Sequence, residues 1–293
     1  MVYLEYFRIA GRKQEDGFIL NYPYQLEMQC FSSTNVYPFK LFPQKELQEL
    51  SFEPITVFYG GNGSGKSTLL NIISAKLGCL RTSPFNNTPF FDEYLKLCRF
   101  ELSELDEPVE KKLVASDDVF NFLLDMRAIN ENVDRRRNRL FREYERDRQE
   151  PFVLKSLDDY EELRRRNDAK NSTKSQYVAK RLNVREIDGR SNGESAFAYF
   201  THNIKDDSLY LLDEPENSLS PFLQMKLAQF LLDSARFYGC QFIISTHSPF
   251  LLAMNGAKIY DLDDVPVREK KWTELENVRS YYDFFKEHSE EFE

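Results

Sequence analysis

The stretch "FYGGNGSGKSTLL", residues 58–70, decides how the rest of the chain is read. Gly60-Gly61-Asn62-Gly63-Ser64-Gly65-Lys66-Ser67 fits G-x-x-x-x-G-K-[ST], and Thr68 follows. Eight residues can match a pattern without sharing its chemistry, so the flanks decide between a phosphate loop and a glycine-rich turn. Upstream, "PITVFYG" is β-branched and aromatic and opens on Pro54, the composition of a buried parallel strand. Downstream, Leu69, Leu70, Ile72, Ile73 and Leu77 form an apolar helical face that Gly78 stops. A glycine loop between a strand and a helix N-terminus offers unpaired N–H groups and the positive end of the helix dipole to an anion. Lys66 then reaches the β and γ oxygens, and the Ser67 hydroxyl can ligate Mg2+.

A phosphate loop needs a carboxylate partner, and "SLYLLDEPENSLSP", residues 208–221, supplies one. Leu209 to Leu212 read as a short buried strand, with Asp213-Glu214 at its C-terminal end, where ligand sites of open α/β sheets lie. That position suits Asp213 to hold Mg2+ through water and Glu214 to polarise an attacking water; a solvated turn is the plainer alternative. Another apolar strand, "CQFIIST" (240–246), ends at His247-Ser248-Pro249. A neutral His247 imidazole there can hydrogen-bond a γ-phosphate and the water set by Glu214, whereas His202 and His288 have no such context.

Composition narrows the class. The 293 residues are 41% apolar and 30% charged, with 25 Phe and 16 Tyr, which excludes a disordered chain and suits a sheet-containing globular protein. There is no run of 18 apolar residues and no signal-peptide pattern at the N-terminus, so a cytoplasmic protein without a membrane segment is expected. Cys30, Cys79, Cys98 and Cys240 are scattered and read as isolated thiols rather than a metal site. Net charge is −9, yet residues 127–190 hold 18 Lys and Arg against 13 Asp and Glu. That basic segment is either a footprint for phosphates or a salt-bridged helix surface.

Three blocks follow along the chain: an N-terminal lobe with the phosphate loop over 1–91, a helical insertion over 92–188, and a C-terminal lobe over 189–293. Residues 1–57 read as short strands, among them "YLEYFRIA" and "YQLEMQCF". Within the insertion, Val119, Phe122, Met126, Ile129, Val133, Leu140 and Tyr144 alternate steps of three and four, with Arg136 in the missing place. Pro151 ends that stripe, which is too short for a long arm and suits a hairpin or compact helical subdomain.

The order of phosphate loop, insertion, "SNGES" (191–195), "LYLLDEPENSLSP" and "FIISTHSPF" resembles an ABC-type ATPase of the soluble SMC/RecF/OLD-like branch. The resemblance is strong over 53–82 and 189–262. It implies an α/β P-loop NTPase fold with a mixed sheet flanked by helices, N-terminal antiparallel strands and a helical insertion. It also implies ATP with Mg2+ held by residues 60–68 and Asp213, and hydrolysis driven by Glu214 and His247. In such proteins Ser191, Gly193 and Glu194 would contact the γ-phosphate held by a second copy of the chain, and 215–221 would cross the dimer interface. Asn192 and Ser220 depart from the family pattern, and no Gln occurs between Lys66 and Gln149 to serve the metal; Gln149 and Gln176 lie in the insertion. Tyr37 or Phe39 would stack on adenine. Among functions, the resemblance implies an ATP-dependent homodimerising switch in DNA maintenance or phage defence, with DNA or an effector protein as partner. The nucleotide-binding subunit of a membrane transporter is the alternative, and a non-catalytic nucleotide sensor a third.

Overall fold

The computed structural model describes residues 1–21, 36–104, 107–152, 156, 159–182 and 191–292. "YQLEMQCF" and Cys30 lie outside them. The chain divides into two compact units, one of Met1–Phe120 with Asn192–Glu293, the other of Asn121–Ser191.

In the first unit, β1 (Leu4–Arg8) pairs antiparallel with β2 (Glu49–Ser51) on one side and β4 (Arg99–Leu102) on the other. A second sheet is parallel through β3 (Ile55–Tyr59), β5 (Lys111–Ala115), β6 (Leu209–Asp213), β7 (Gln241–Ser245) and β8 (Lys258–Asp261), and β9 (Arg268–Glu269) adds an antiparallel edge. Its order is β5-β6-β7-β3-β8-β9. Both β3 and β7 are buried at every residue, which explains their mostly apolar composition without alternation, since a parallel strand covered on both faces has no solvent side. Helices α2 (Lys66–Leu77), α7 (Asn192–Asn203), α8 (Pro221–Phe237) and the short α9 (Pro249–Leu252) follow or connect the strands. Gly78 ends α2 in the left-handed conformation, its N–H returning to Ala75 and Ser74. Gln241, fully buried, ties the sheets together: its Oε1 accepts from the amides of Tyr3 and Leu4, and its Nε2 donates to the carbonyls of Leu4 and Glu53.

Two sequence readings are corrected here. Residues 12–21, read as part of a strand region, form helix α1 (Arg12–Asn21), whose start is capped by the Gln14 side chain on the Gly11 amide. Residues 92–115 are not part of a helical insertion. They form the rest of α3 (Phe91–Leu97), then β4 and β5, all in the first unit. "KKLVA" is short and opens on two lysines, so it carries no strand signal of its own; its pairing with β6, and a bridge from Lys112 to Leu80, make it a strand.

The second unit holds most of α4 (Ser116–Gln149), with α5 (Tyr160–Asn171) and α6 (Lys174–Arg181). Leu140 and Tyr144 pack with Ala169, Tyr177 and Val178, and Tyr144 meets Tyr177 edge-on at 5.4 Å. Asp147 is wholly buried but paired, with Arg165 at 2.7 Å and the Tyr177 hydroxyl at 3.2 Å. Along the stripe read from sequence, Val133, Leu140 and Tyr144 are buried, while Ile129 is exposed.

Glu15 of α1 is buried, and its Oε2 accepts the Lys40 amide at 2.6 Å. Desolvation raises this carboxyl to about 7, from an ordinary 4.5. Because the folded pKa is the higher one, the stabilisation is fully present below the unfolded value and is lost as pH rises towards 7. Urea midpoints should therefore fall across that window in the native chain, and Glu15→Gln should flatten the fall; equal slopes would contradict the assignment.

Candidate functional site

Parallel register aligns the C-terminal ends of four strands. Asp213 lies opposite Ala115 on one side and Ser245 on the other, and Ser245 lies opposite Phe58 of β3. The loop that follows β3 therefore emerges beside Asp213. Its turn requires glycine: Gly60, Gly63 and Gly65 have φ of 153°, 80° and 100°, and a Cβ on Gly60 would stand 2.7 Å from Ser64 Oγ. Gly65 precedes α2, so the loop opens directly into a helix N-terminus.

The polar groups converge there. Ser67 Oγ donates to Asp213 Oδ1 at 3.0 Å, and the Ser245 hydroxyl donates to the same oxygen. Lys66 Nζ donates to the carbonyls of Gly60 (2.7 Å) and Gly61 (3.1 Å). Glu214 has φ of 48°, unusual for a residue with a side chain, and its N–H donates to the Ser245 carbonyl at 3.0 Å. Asn217 Nδ2 donates to Glu214 Oε2 at 3.1 Å, and His247 Nε2 lies 3.7 Å from Glu214 Oε1. Burial lowers the pKa of Lys66, against the pull of Glu214 and Asp213, and raises that of Asp213, against the hydroxyls of Ser245 and Ser67. The His247 imidazole is pushed below its ordinary value by burial and then by Lys66, so it is neutral at pH 7.

Asn62, Gly63, Gly65, Lys66, Ser67, Thr68 and Glu214 share the walls of an 840 Å³ cleft with Tyr37, Phe39, Leu41 and Gln44, among other residues. This is room for a nucleoside triphosphate. Of the two aromatics considered for adenine, Phe39 is committed to the core: it stacks on Phe18 at 4.7 Å and meets Tyr94 edge-on. Tyr37 lies half-buried beside the loop, its hydroxyl donating to Thr68 Oγ1 at 2.9 Å. Gln176 completes a capping box with Thr173 on α6.

Ser191, Gly193 and Glu194 are built elsewhere. Ser191 immediately precedes α7, which starts at Asn192, so Gly193 and Glu194 lie in its first turn. A Cβ on Gly193 would come within 2.8 Å of Leu223 and 3.4 Å of the Ser218 carbonyl, so glycine lets the turn after β6 pack against this helix. None of Ser191, Gly193 and Glu194 is among the described residues that line the cleft.

Three contributors were not read from the sequence. Asp263, after β8, accepts the Gly61 amide at 2.6 Å. Glu216 Oε1 accepts the amides of His247 (2.7 Å) and Ser248 (3.2 Å). Asn277, on α10 (Glu276–Glu287), donates to the His247 carbonyl at 3.0 Å. Glu216 lies within 215–221, expected from sequence at a dimer interface, and here it holds the His247 backbone; only tertiary contact reveals Asp263 and Asn277.

A glycine loop on a strand–helix joint, an acidic pair closing a buried parallel strand and a histidine following the next are the features of a P-loop α/β protein. The chain belongs to the family described as "AAA domain, putative AbiEii toxin, Type IV TA system", whose model matches residues 81–253. That match takes in residues 191–195, Asp213, Glu214 and His247 and begins after the glycine loop at 60–67. No curated protein matches the chain in sequence. Among solved structures it is similar to the Smc head domain from Pyrococcus furiosus, at 13% identity over 96% of this chain and 100% of that one, TM-score 0.43. The SMC head domain from Thermotoga maritima aligns at 13% identity over 92% and 98%, TM-score 0.37. A dimeric bacterial ABC transporter cassette aligns at 15% identity over 76% and 88%, TM-score 0.36. All three are remote likenesses.

Gly60→Ala should force the loop apart at Ser64 while leaving the sheet intact. Equilibrium binding of a fluorescent ATP analogue should weaken by about tenfold or more, since loss of about 1.4 kcal/mol is a factor of ten. Unchanged affinity would show that the loop does not need this close approach.

Proposed function

We propose that the protein binds and hydrolyses ATP with Mg2+ as a switch that joins two copies of the chain. The observation that carries this reading is the meeting of Lys66, Ser67, Asp213, Glu214 and His247 at one sheet edge beside an 840 Å³ cleft. Hydroxyl and carboxylate oxygens from Ser67 and Asp213 form a hard donor pair. Such a pair fits a magnesium ion that keeps its waters and takes further ligands from phosphates. When bound, that ion would neutralise charge on the β and γ oxygens.

The chain's own groups do the rest. The loop amides and Lys66 orient the triphosphate, with Lys66 released from the carbonyls of Gly60 and Gly61. Glu214 orients a water whose oxygen attacks the γ-phosphorus; the bond from phosphorus to the β–γ bridging oxygen breaks, giving ADP and phosphate, and the water's proton passes through Glu214 to the released phosphate. His247, neutral and 3.7 Å from Glu214, donates to the γ-phosphate oxygens. Ser191, Gly193 and Glu194 complete the site of the second copy, in keeping with their place outside the chain's own cleft.

For biological role, the reading is DNA maintenance or phage defence. The family's description, which names a toxin of a type IV toxin–antitoxin system, accords with the second. A nucleic-acid partner is supported by the second unit. There Arg135, Arg136, Arg139, Arg142 and Arg146 lie along one side of α4 with Asn132 and Glu143. Guanidinium groups repeated along one helix face suit a phosphate backbone.

Glu214→Gln should keep ATP affinity, stop turnover and accumulate an ATP-dependent dimer in size-exclusion chromatography with light scattering. A monomer at saturating ATP would sink the two-copy reading. If the arginine face binds DNA, changing Arg135, Arg139 and Arg142 to Gln should weaken binding. It should also reduce the slope of log affinity against log salt by about 0.9 for each phosphate that is no longer neutralised. An unchanged slope would mark that face as merely solvated.

A further inference from the structure

His247 is gripped through its backbone at both ends. Glu216 Oε1 accepts its N–H at 2.7 Å, and Asn277 Nδ2 donates to its carbonyl at 3.0 Å. Asn277 lies in the first turn of α10, and its own amide donates to the Tyr59 hydroxyl at 3.2 Å. Tyr59 ends β3 and directly precedes Gly60. One side chain and one amide of Asn277 therefore link the strand that launches the phosphate loop to the strand end that carries His247. Little else attaches α10: within the helix only Val278 is buried, with Leu275 just before it. The Asn277 Oδ1 atom is buried and without a hydrogen-bond partner among the described residues, so the amide is held in place by its donor side alone.

We infer that Asn277 is a positioning residue for hydrolysis: through the His247 carbonyl it holds the imidazole towards Glu214, while Glu216 fixes the same residue from its N–H. The chemistry demands an amide at this position. Aspartate has the same shape but would set a carboxylate oxygen against the His247 carbonyl oxygen, and alanine would remove the donor. The inference rests on the reading of His247 as a contact of the γ-phosphate. Charged groups facing His247 are Lys66 on α2, Glu214 and Glu216 after β6, and Asp263 after β8.

The test uses Asn277→Asp and Asn277→Ala in the full chain, with His247→Ala as reference. Both Asn277 variants should lower kcat for ATP hydrolysis by about tenfold, the equivalent of one lost hydrogen bond in the transition state, with KM changed by less than about twofold. In the His247→Ala background the Asn277 substitutions should add nothing further. The chain has three histidines, so their imidazole signals can be resolved by NMR. Those of His247 should shift in both variants, with the titration midpoint raised by Asn277→Asp, while His202 and His288 stay in place. Unmoved His247 signals would overturn the inference. So would joint loss of ATP affinity and thermal stability with no separate effect on kcat. If His247→Ala hydrolyses ATP like the native chain, the catalytic reading of His247 fails, and the NMR result alone then decides whether Asn277 positions it.

Discussion

The Asp213 carboxylate is held by two hydroxyls, Ser67 from the helix after the phosphate loop and Ser245 from the neighbouring strand. That three-way contact depends on the parallel ladder, because only the register placing Asp213 opposite Ser245, and Ser245 opposite Phe58, brings the three segments to one edge. A one-residue slip in β6 would turn the carboxylate to the other face and strand it against apolar neighbours. The ladder in turn is held by burial on both faces of β3 and β7 and by Gln241, which satisfies four backbone groups at the far side of the core. Site geometry and core packing are thus one constraint rather than two.

The same edge explains why residues 191–194 can be well built and yet absent from the cleft. Gly193 is required by its contact with Ser218 and Leu223, which belong to the turn and helix directly after Glu214. Backbone conformation in that turn is unusual, with φ of 48° at Glu214 and 72° at Ser218. Strain of this kind persists where surrounding contacts over-determine it. Here those contacts are the Ser245 carbonyl on the Glu214 amide and Asn217 on its carboxylate. The acidic pair and the first turn of α7 are mechanically neighbours.

Much of this was legible from residues alone, for physical reasons. "PITVFYG", "LYLL" and "FIIS" are short, mostly apolar and rich in β-branched or aromatic residues, which suits a buried parallel strand better than a helix. Glycines of the phosphate loop announce positive φ before any coordinates exist. What escaped is what depends on distant partners. β5 became a strand only by lying beside β6, and α1 was hidden because its apolar content is low. Phe39 cannot stack on a base, because Phe18 lies against its ring in the core. Asp263 and Asn277 reach the site from segments more than 200 residues away from the loop and strand they touch, so no local signal could name them.

Electrostatics give the site a common direction. Burial lowers the pKa of Lys66 and of His247 and raises those of Asp213 and Glu216, so each group is pushed towards its neutral form. Charges held out of water with incomplete compensation gain most from a charged ligand that supplies the missing partner. Lys66 meanwhile spends its protons on two loop carbonyls, and His247 Nε2 is buried with no hydrogen-bond partner among the described residues. An anion with several acceptor oxygens would satisfy both donors at once. A cation beside Asp213 would relieve the carboxylate by the opposite sign. A triphosphate that carries its own divalent ion brings both charges in one ligand, which is the electrostatic reason this edge suits a nucleotide better than a simple anion.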